Sequence, residues 1–265
     1  MRTRIRDLPV EITRPESAKF RHPLLFVHGL WAGSWVWEPL VTYLAHRGWE
    51  SWAPSFLEAT SPLDAPLARV AALEDVARAL PAPPVLVTHD VGLLTAASLL
   101  ERGAVRAVVA IAPLVAPVDG AGGRGMFAWP RFWRILLGGA RVRPPSGSAA
   151  VAFLGAAVAA RDRLRTESGA VFRAVASGRM RLPGRVDAPG FVLGGAVDPI
   201  VTPAAVAAVA RRLGWSSRVH AGRGHFAIVE RGFEAIADDV HRWIVRTVGA
   251  DLLALLDEDD VPDLL

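Results

Sequence analysis

Three side chains in this chain of 265 residues have the types and the order of a nucleophile, an acid and a base: Asp90, Asp198 and His225. Asp90 stands in Thr88-His89-Asp90-Val91-Gly92, between the apolar run Pro84-Val85-Leu86-Val87 and the helix-like stretch Leu93 to Leu100. A strand leading straight into a helix with small flanking residues is the pattern of a nucleophile elbow. There the central residue is held in a strained backbone conformation and its side chain stands above the sheet. Gly92 supplies one small flank, while Thr88 replaces the glycine usual at the other. An aspartate at the centre changes the chemistry. Attack of a carboxylate on an ordinary ester gives a high-energy anhydride. Attack on an sp3 carbon bearing a halide or an epoxide oxygen gives an alkyl ester that water can later cleave.

The two partners lie downstream. Phe191-Val192-Leu193-Gly194-Gly195 reads as a buried strand, and Thr202-Pro203 as a helix cap followed by a proline at the first helical position, so Asp198 falls at the carboxyl end of a strand. Gly222-Arg223-Gly224-His225-Phe226 places a histidine in a glycine-flanked loop before a long amphipathic helix, as a mobile proton carrier requires. Each residue has an ordinary alternative: a serine lost from a binding protein for Asp90, a helix-entry residue for Asp198, a helix cap for His225.

The elements that must position them follow from the hydrophobic pattern. Strand signals at 23–27, 49–53, 84–88, 106–112, 191–195 and 217–220 alternate with helix signals at 35–47, 65–80, 91–102, 203–213 and 232–247. That alternation predicts a mainly parallel α/β sheet covered on both faces. It fails between Ala112 and Ala188, where Gly120–Gly123 and Pro144-Pro145 interrupt short helical patterns around Trp129 and Trp133. The segment reads as a helical cap over the strand ends, where such sheets bind ligands. The expected organisation is a core over 1–114 and 189–250, a cap over 115–188 and an acidic tail over 251–265.

Four motifs in this order resemble the α/β-hydrolase superfamily. They are the elbow, the Asp198 loop, the Gly-His225-Phe226 segment and, upstream, Leu24-Leu25-Phe26-Val27-His28-Gly29-Leu30-Trp31, which resembles the family's strand and His-Gly oxyanion segment. The resemblance covers roughly 20–114 and 189–248. It implies the α/β-hydrolase fold, a catalytic set Asp90, Asp198 and His225, and oxyanion donors from Leu30, Trp31 and Val91. His89-Asp90-x-Gly92 is similar to the aspartate-nucleophile branch, the haloalkane dehalogenases and epoxide hydrolases. The departures concern the leaving group. Val91 and Leu30 stand where dehalogenases carry a halide-binding tryptophan and often an asparagine, and the only tyrosine, Tyr43, lies far from the cap in sequence. The stretch from Leu30 to Pro54 looks instead like small serine esterases and hydroxynitrile lyases.

The expected activity is therefore two-step covalent hydrolysis of an apolar substrate at an sp3 carbon. The alternatives are a non-hydrolytic or general-base enzyme acting on a biosynthetic intermediate, an esterase-like enzyme, or an inactive binding protein. Residues placed at the substrate are His28, His89, Trp129, Trp133 and Phe226. For His28, packing behind the oxyanion loop is the competing reading, and for the tryptophans a packing stripe is. Trp31, Trp129 and Trp133 could also offer indole N–H groups to a leaving group.

Composition narrows the setting. With no cysteine there is no disulfide framework, thiol nucleophile or Cys/His metal cluster, and no cofactor is expected. A charged start without an apolar signal core, and no apolar stretch long enough to span a bilayer, make a soluble cytoplasmic protein the expectation. The expected partner is a small apolar substrate, not nucleic acid or membrane. Residues 115–188 carry twelve arginines and four acids, and 251–265 six acids and no base. The functional reading is a cap that receives anionic groups; the ordinary reading, which we prefer, is arginine-rich solvated helix faces.

Overall fold

The computed structural model describes residues 1–59, 65–116, 119 and 141–253. Its centre is an eight-stranded sheet. In chain order the strands are β1 (Arg2–Ile5), β2 (Leu8–Thr13), β3 (Leu24–Val27), β4 (Ser51–Pro54), β5 (Val85–His89), β6 (Ala107–Ile111), β9 (Gly190–Gly195) and β10 (Ser216–His220), with β7 (Arg141–Val142) and β8 (Glu167–Ser168) set apart in the inserted segment. The spatial order is β1-β2-β4-β3-β5-β6-β9-β10. From β4 to β10 all neighbours are parallel, whereas β1 pairs with β2 and β2 with β4 antiparallel. This is the expected α/β-hydrolase fold. The antiparallel β1–β2 edge was not expected: its outermost strand, Arg-Thr-Arg-Ile, is largely exposed and carries no apolar run to mark it.

The middle strands are buried on both faces and, apart from Thr88 and His89 at the end of β5, apolar. Every residue of β3, β5 and β6 is buried, the signature of a parallel sheet between two helix layers. The helices α1 (Glu38–Ala45), α2 (Pro66–Arg78), α3 (Gly92–Thr95), α4 (Ala97–Glu101) and, later in the chain, Pro203–Leu213 and Glu234–Leu253 supply those layers. The pattern at 91–102 predicts one helix; the chain breaks it at Ala96, whose backbone leaves the helical range. The helix Pro203–Leu213 has the anticipated start, with the Thr202 hydroxyl accepting the Ala205 N–H at 3.3 Å and Pro203 at its first position.

The described part of the inserted segment holds β7 (Arg141–Val142), α5 (Ser148–Leu154), a 3-10 run over Gly155–Arg163, β8 (Glu167–Ser168) and α6 (Gly169–Ala176). β7 and β8 pair antiparallel, with Val142 opposite Glu167. Phe153, Leu154, Val171 and Phe172 are buried in the common core, so this segment shares its apolar interior with the sheet. Trp129 and Trp133 lie outside the described residues, as does the tail beyond 253. Among the described residues no helix is long and apolar enough to cross a membrane.

Candidate active site

Asp90 sits at the carboxyl end of β5 with φ +55°. A residue with a Cβ is strained in this left-handed region, and such strain persists only where the surroundings fix it. Here the Asp90 N–H donates to the Ile111 carbonyl at 3.2 Å and the Asp90 carbonyl accepts from Leu114 N–H at 3.2 Å, tying the turn to β6 and the loop after it. Gly92 lets the turn close: a Cβ there would lie 2.2 Å from the Val27 carbonyl oxygen. Gly29 lets the oxyanion segment reach the carboxylate, since a Cβ there would stand 2.3 Å from Asp90 Cβ.

The two oxygens of Asp90 are treated differently. Oδ2 accepts the Leu30 N–H at 2.9 Å, and the Val91 amide also faces the carboxylate. Oδ1 is buried and has no hydrogen-bond partner among the described residues. Burial pushes the Asp90 carboxyl up to about 6, against the pull of the His225 charge and of the Leu30 and Val91 amides.

His225 and Asp198 form the other half. His225 Nδ1 lies 2.9 Å from Asp198 Oδ2, both side chains fully buried, while Asp198 Oδ1 accepts the amides of Ile200 at 2.7 Å and Val201 at 2.9 Å. With its proton on Nδ1, His225 keeps Nε2 as an acceptor, and Nε2 has no partner among the described residues. Burial alone would raise the Asp198 carboxyl. The His225 charge and hydrogen bond and the two amides outweigh it, so Asp198 titrates below the usual carboxylate range. Burial alone would likewise lower His225, but Asp198 and then Asp90 raise it above the ordinary histidine value. Asp90 and His225 thus feel each other's charge, each with one polar atom left open.

The His225 loop is held from two sides. His89 Nε2 lies 3.0 Å from the His225 carbonyl oxygen, and the buried Glu230 accepts the Gly224 N–H at 3.1 Å. His89 packs against Trp37, His225 and Phe226. Burial, then the His225 charge, lowers its titration to about 3, so it is neutral. It is a strut under His225 through Nε2. Phe226 is wedged between His89 and Phe153, behind the histidine.

Two expectations are corrected. The Trp31 amide does not face Asp90; it donates to Glu167 Oε2 at 3.4 Å, and its indole N–H donates to the Val142 carbonyl at 3.1 Å, so neither donor is open to a substrate. His28 is spent as well: Nδ1 lies 2.8 Å from the Gly29 carbonyl oxygen and Nε2 accepts the Phe56 N–H at 3.1 Å. Burial lowers it to about 4, and a neutral ring with both nitrogens engaged holds the oxyanion segment in place. Tyr43 donates to Asp238, on the helix Glu234–Leu253.

Sequence reasoning missed Phe153, whose ring centroid is 5.4 Å from that of His225, and Phe172, 5.1 Å from Trp31. It also missed the buried pair Arg69–Glu167. Glu230 had a local signal, five residues after His225; the others had none. Among the described residues no group of three or more His, Asp or Glu is placed to hold a metal ion.

The fold has many solved relatives in shape. A monoacylglycerol lipase of Paleococcus ferrophilus superposes with a TM-score of 0.72 at 17% identity, covering 90% of this chain and 99% of that one. A putative non-heme bromoperoxidase, BpoC, of Mycobacterium tuberculosis H37Rv gives 0.70 at 18%, covering 91% and 96%. The N-acyl homoserine lactonase AidH, complexed with N-butanoyl homoserine, gives 0.70 at 18%, covering 93% and 97%. At these identities the likeness is one of fold. No curated protein matches the sequence. The model of the alpha/beta hydrolase family matches residues 24–239, most of the chain and every element that carries the site, and the chain belongs to that family.

Proposed function

We propose that this protein is a hydrolase in which Asp90 is the nucleophile and the His225–Asp198 pair activates water. The observation that carries the reading is the asymmetry of the Asp90 carboxylate, with Oδ2 on the Leu30 amide and Oδ1 buried without a partner. In the first step Oδ1 attacks an electrophilic sp3 carbon, and the leaving group departs with the bonding electron pair. The product is an ester of Asp90. In the second, His225 Nε2 takes a proton from water, and the resulting hydroxide attacks the Asp90 carboxyl carbon. The negative charge then develops on Oδ2, where the Leu30 amide already points, with the Val91 amide also facing the carboxyl group. Collapse breaks the bond to the ester oxygen, the departing alkoxide takes the proton back from His225 and leaves as the alcohol, and the new Asp90 carboxyl group releases its own proton to solvent and is restored as the carboxylate.

The first step prepares the second. Esterification removes the Asp90 charge, which is one of the causes that raise His225. The histidine then loses affinity for its proton at the moment it must act as a base.

Trp31, Phe153 and Phe172 form an aromatic wall beside His225, which favours an apolar substrate; an anionic group on it would suit the arginines of the cap. The alkyl halide and epoxide class remains the proposed one. Val91 offers no side-chain donor, and Trp31 and Tyr43 are engaged elsewhere, so a donor for the leaving group has to come from beyond these three.

A second reading has its own support. A carboxyl group titrating near 6 is suited to general-base catalysis close to neutral pH, and a lipase and a lactonase are among the fold relatives. Asp90 would then activate water for attack on an ester. His225→Gln separates the two readings. Incubated with a panel of haloalkanes, epoxides, esters and lactones, it should accumulate an Asp90-linked adduct in the intact-mass spectrum if Asp90 is the nucleophile, because alkylation needs no base. A spectrum without adduct, from a variant whose parent hydrolyses esters, favours the general base.

A further inference from the structure

Trp31 is held in an unfavourable backbone conformation by the cap. Its φ is +57°, a strained region that a bulky side chain occupies only where its surroundings impose it. Three contacts do so, all from the inserted segment. The Trp31 N–H donates to Glu167 on β8, its carbonyl accepts the Arg165 N–H at 2.8 Å, and its indole donates to Val142 on β7. Glu167 is itself immobilised. Its side chain is fully buried, it takes both terminal nitrogens of Arg69 from α2, and it accepts the Ser168 N–H at 2.6 Å. The residue before Trp31 is Leu30, whose N–H lies on Asp90 Oδ2.

We propose that Glu167 is a positioning residue: by holding the Trp31 peptide left-handed it aims the Leu30 N–H at Asp90, so the oxyanion donor is in register only while β7 and β8 are seated. Glu167 touches no reacting atom and acts through the backbone of residues 30–31. The inference rests on the Leu30 amide serving Asp90, whichever role Asp90 plays.

Removing Glu167 alone takes a buried carboxylate away from the Arg69 guanidinium, which threatens folding, so the test uses two double variants. Arg69→Met with Glu167→Leu is apolar and leaves the Trp31 N–H without an acceptor; Arg69→Met with Glu167→Gln keeps an amide oxygen for it. The readout is the titration of Asp90 by carbon-13 NMR of carboxyl-labelled aspartate, with Asp90→Asn identifying the resonance. Loss of one hydrogen bond to the carboxylate raises its proton affinity by about tenfold. The leucine pair should show that rise and the glutamine pair should titrate as the unaltered protein does. Equal titration in both pairs, shifted or not, overturns the proposal. Hydrogen exchange of the unaltered protein gives a second reading. The Leu30, Trp31 and Ser168 amides should open together, and Leu30 exchanging with β3, independently of Ser168, contradicts the link. Neither readout depends on turnover. A protein that forms no Asp90 adduct can still show the shift, and one that forms it can fail to.

Discussion

Asp90 and Asp198 are two buried carboxylates at the ends of neighbouring parts of one sheet, and the protein drives their titrations in opposite directions. Asp198 has both oxygens satisfied: two amides on Oδ1 and His225 on Oδ2. Asp90 has Leu30 bonding Oδ2 and an Oδ1 with no hydrogen-bond partner among the described residues. Burial penalises both anions, and only at Asp198 do the partners outweigh it. The difference teaches how one fold gives the same functional group two jobs. A fully bonded carboxylate is a fixed anchor for an imidazole. On the proposed reading, a half-bonded one is a poised reagent.

The largest expected effect that would break this contrast is on turnover. Asp90→Asn should abolish measurable hydrolysis, a loss of at least about 10^5-fold, while Asp198→Asn should lower kcat by about 10^4-fold and leave the first chemical step measurable. Equal losses at both steps would erase the distinction between reagent and anchor.

Stability should respond with opposite signs. The folded-state titration of Asp90 is raised from 3.8 to about 6, so its contribution to stability is fully present below its ordinary range and is lost as pH rises through about 6. At pH 8 the ionised side chain therefore burdens the fold by up to about 3 kcal/mol, and Asp90→Asn should raise Tm by several degrees there but hardly at all at pH 4. Asp198 is lowered, so its contribution is present above the ordinary carboxylate range and is lost as pH falls through its depressed value. Asp198→Asn should lower Tm at pH 8. Thermal melts of both variants at the two pH values check the pair of signs.

The smallest effect sharpens the contrast within one profile. In the free enzyme kcat/KM should fall with acidity below about pH 6 as Asp90 takes up its proton. A pH profile flat down to 4 would place the reagent elsewhere.

What the sequence made legible was local. The elbow, the Thr202-Pro203 start and the glycine-flanked histidine are each written in a few consecutive residues, because strained turns and caps demand particular side chains in place. The parallel core was legible for the same reason: β3 and β6 are continuous apolar runs, and so is β5 as far as Val87. What it hid was the work of distant contacts. Arg69 meets Glu167 across 98 positions, Glu167 lies on a two-residue strand, and neither sits in a periodic pattern that marks burial. Trp31 looked like a donor to Asp90 because it lies one residue beyond Leu30 in the oxyanion segment; its amide donates instead to Glu167, in the inserted segment. The β1–β2 hairpin escaped for a third reason, its outer strand being polar and exposed.

A single turnover in heavy-oxygen water, with enzyme in excess over substrate, tests the central claim most directly. If Oδ1 of Asp90 attacks the substrate, water attacks the Asp90 carboxyl carbon and never the substrate. The heavy oxygen should then appear in the peptide containing Asp90, and the first product should carry ordinary oxygen. Label found in the first product, with Asp90 unlabelled, would contradict the account and make Asp90 a base.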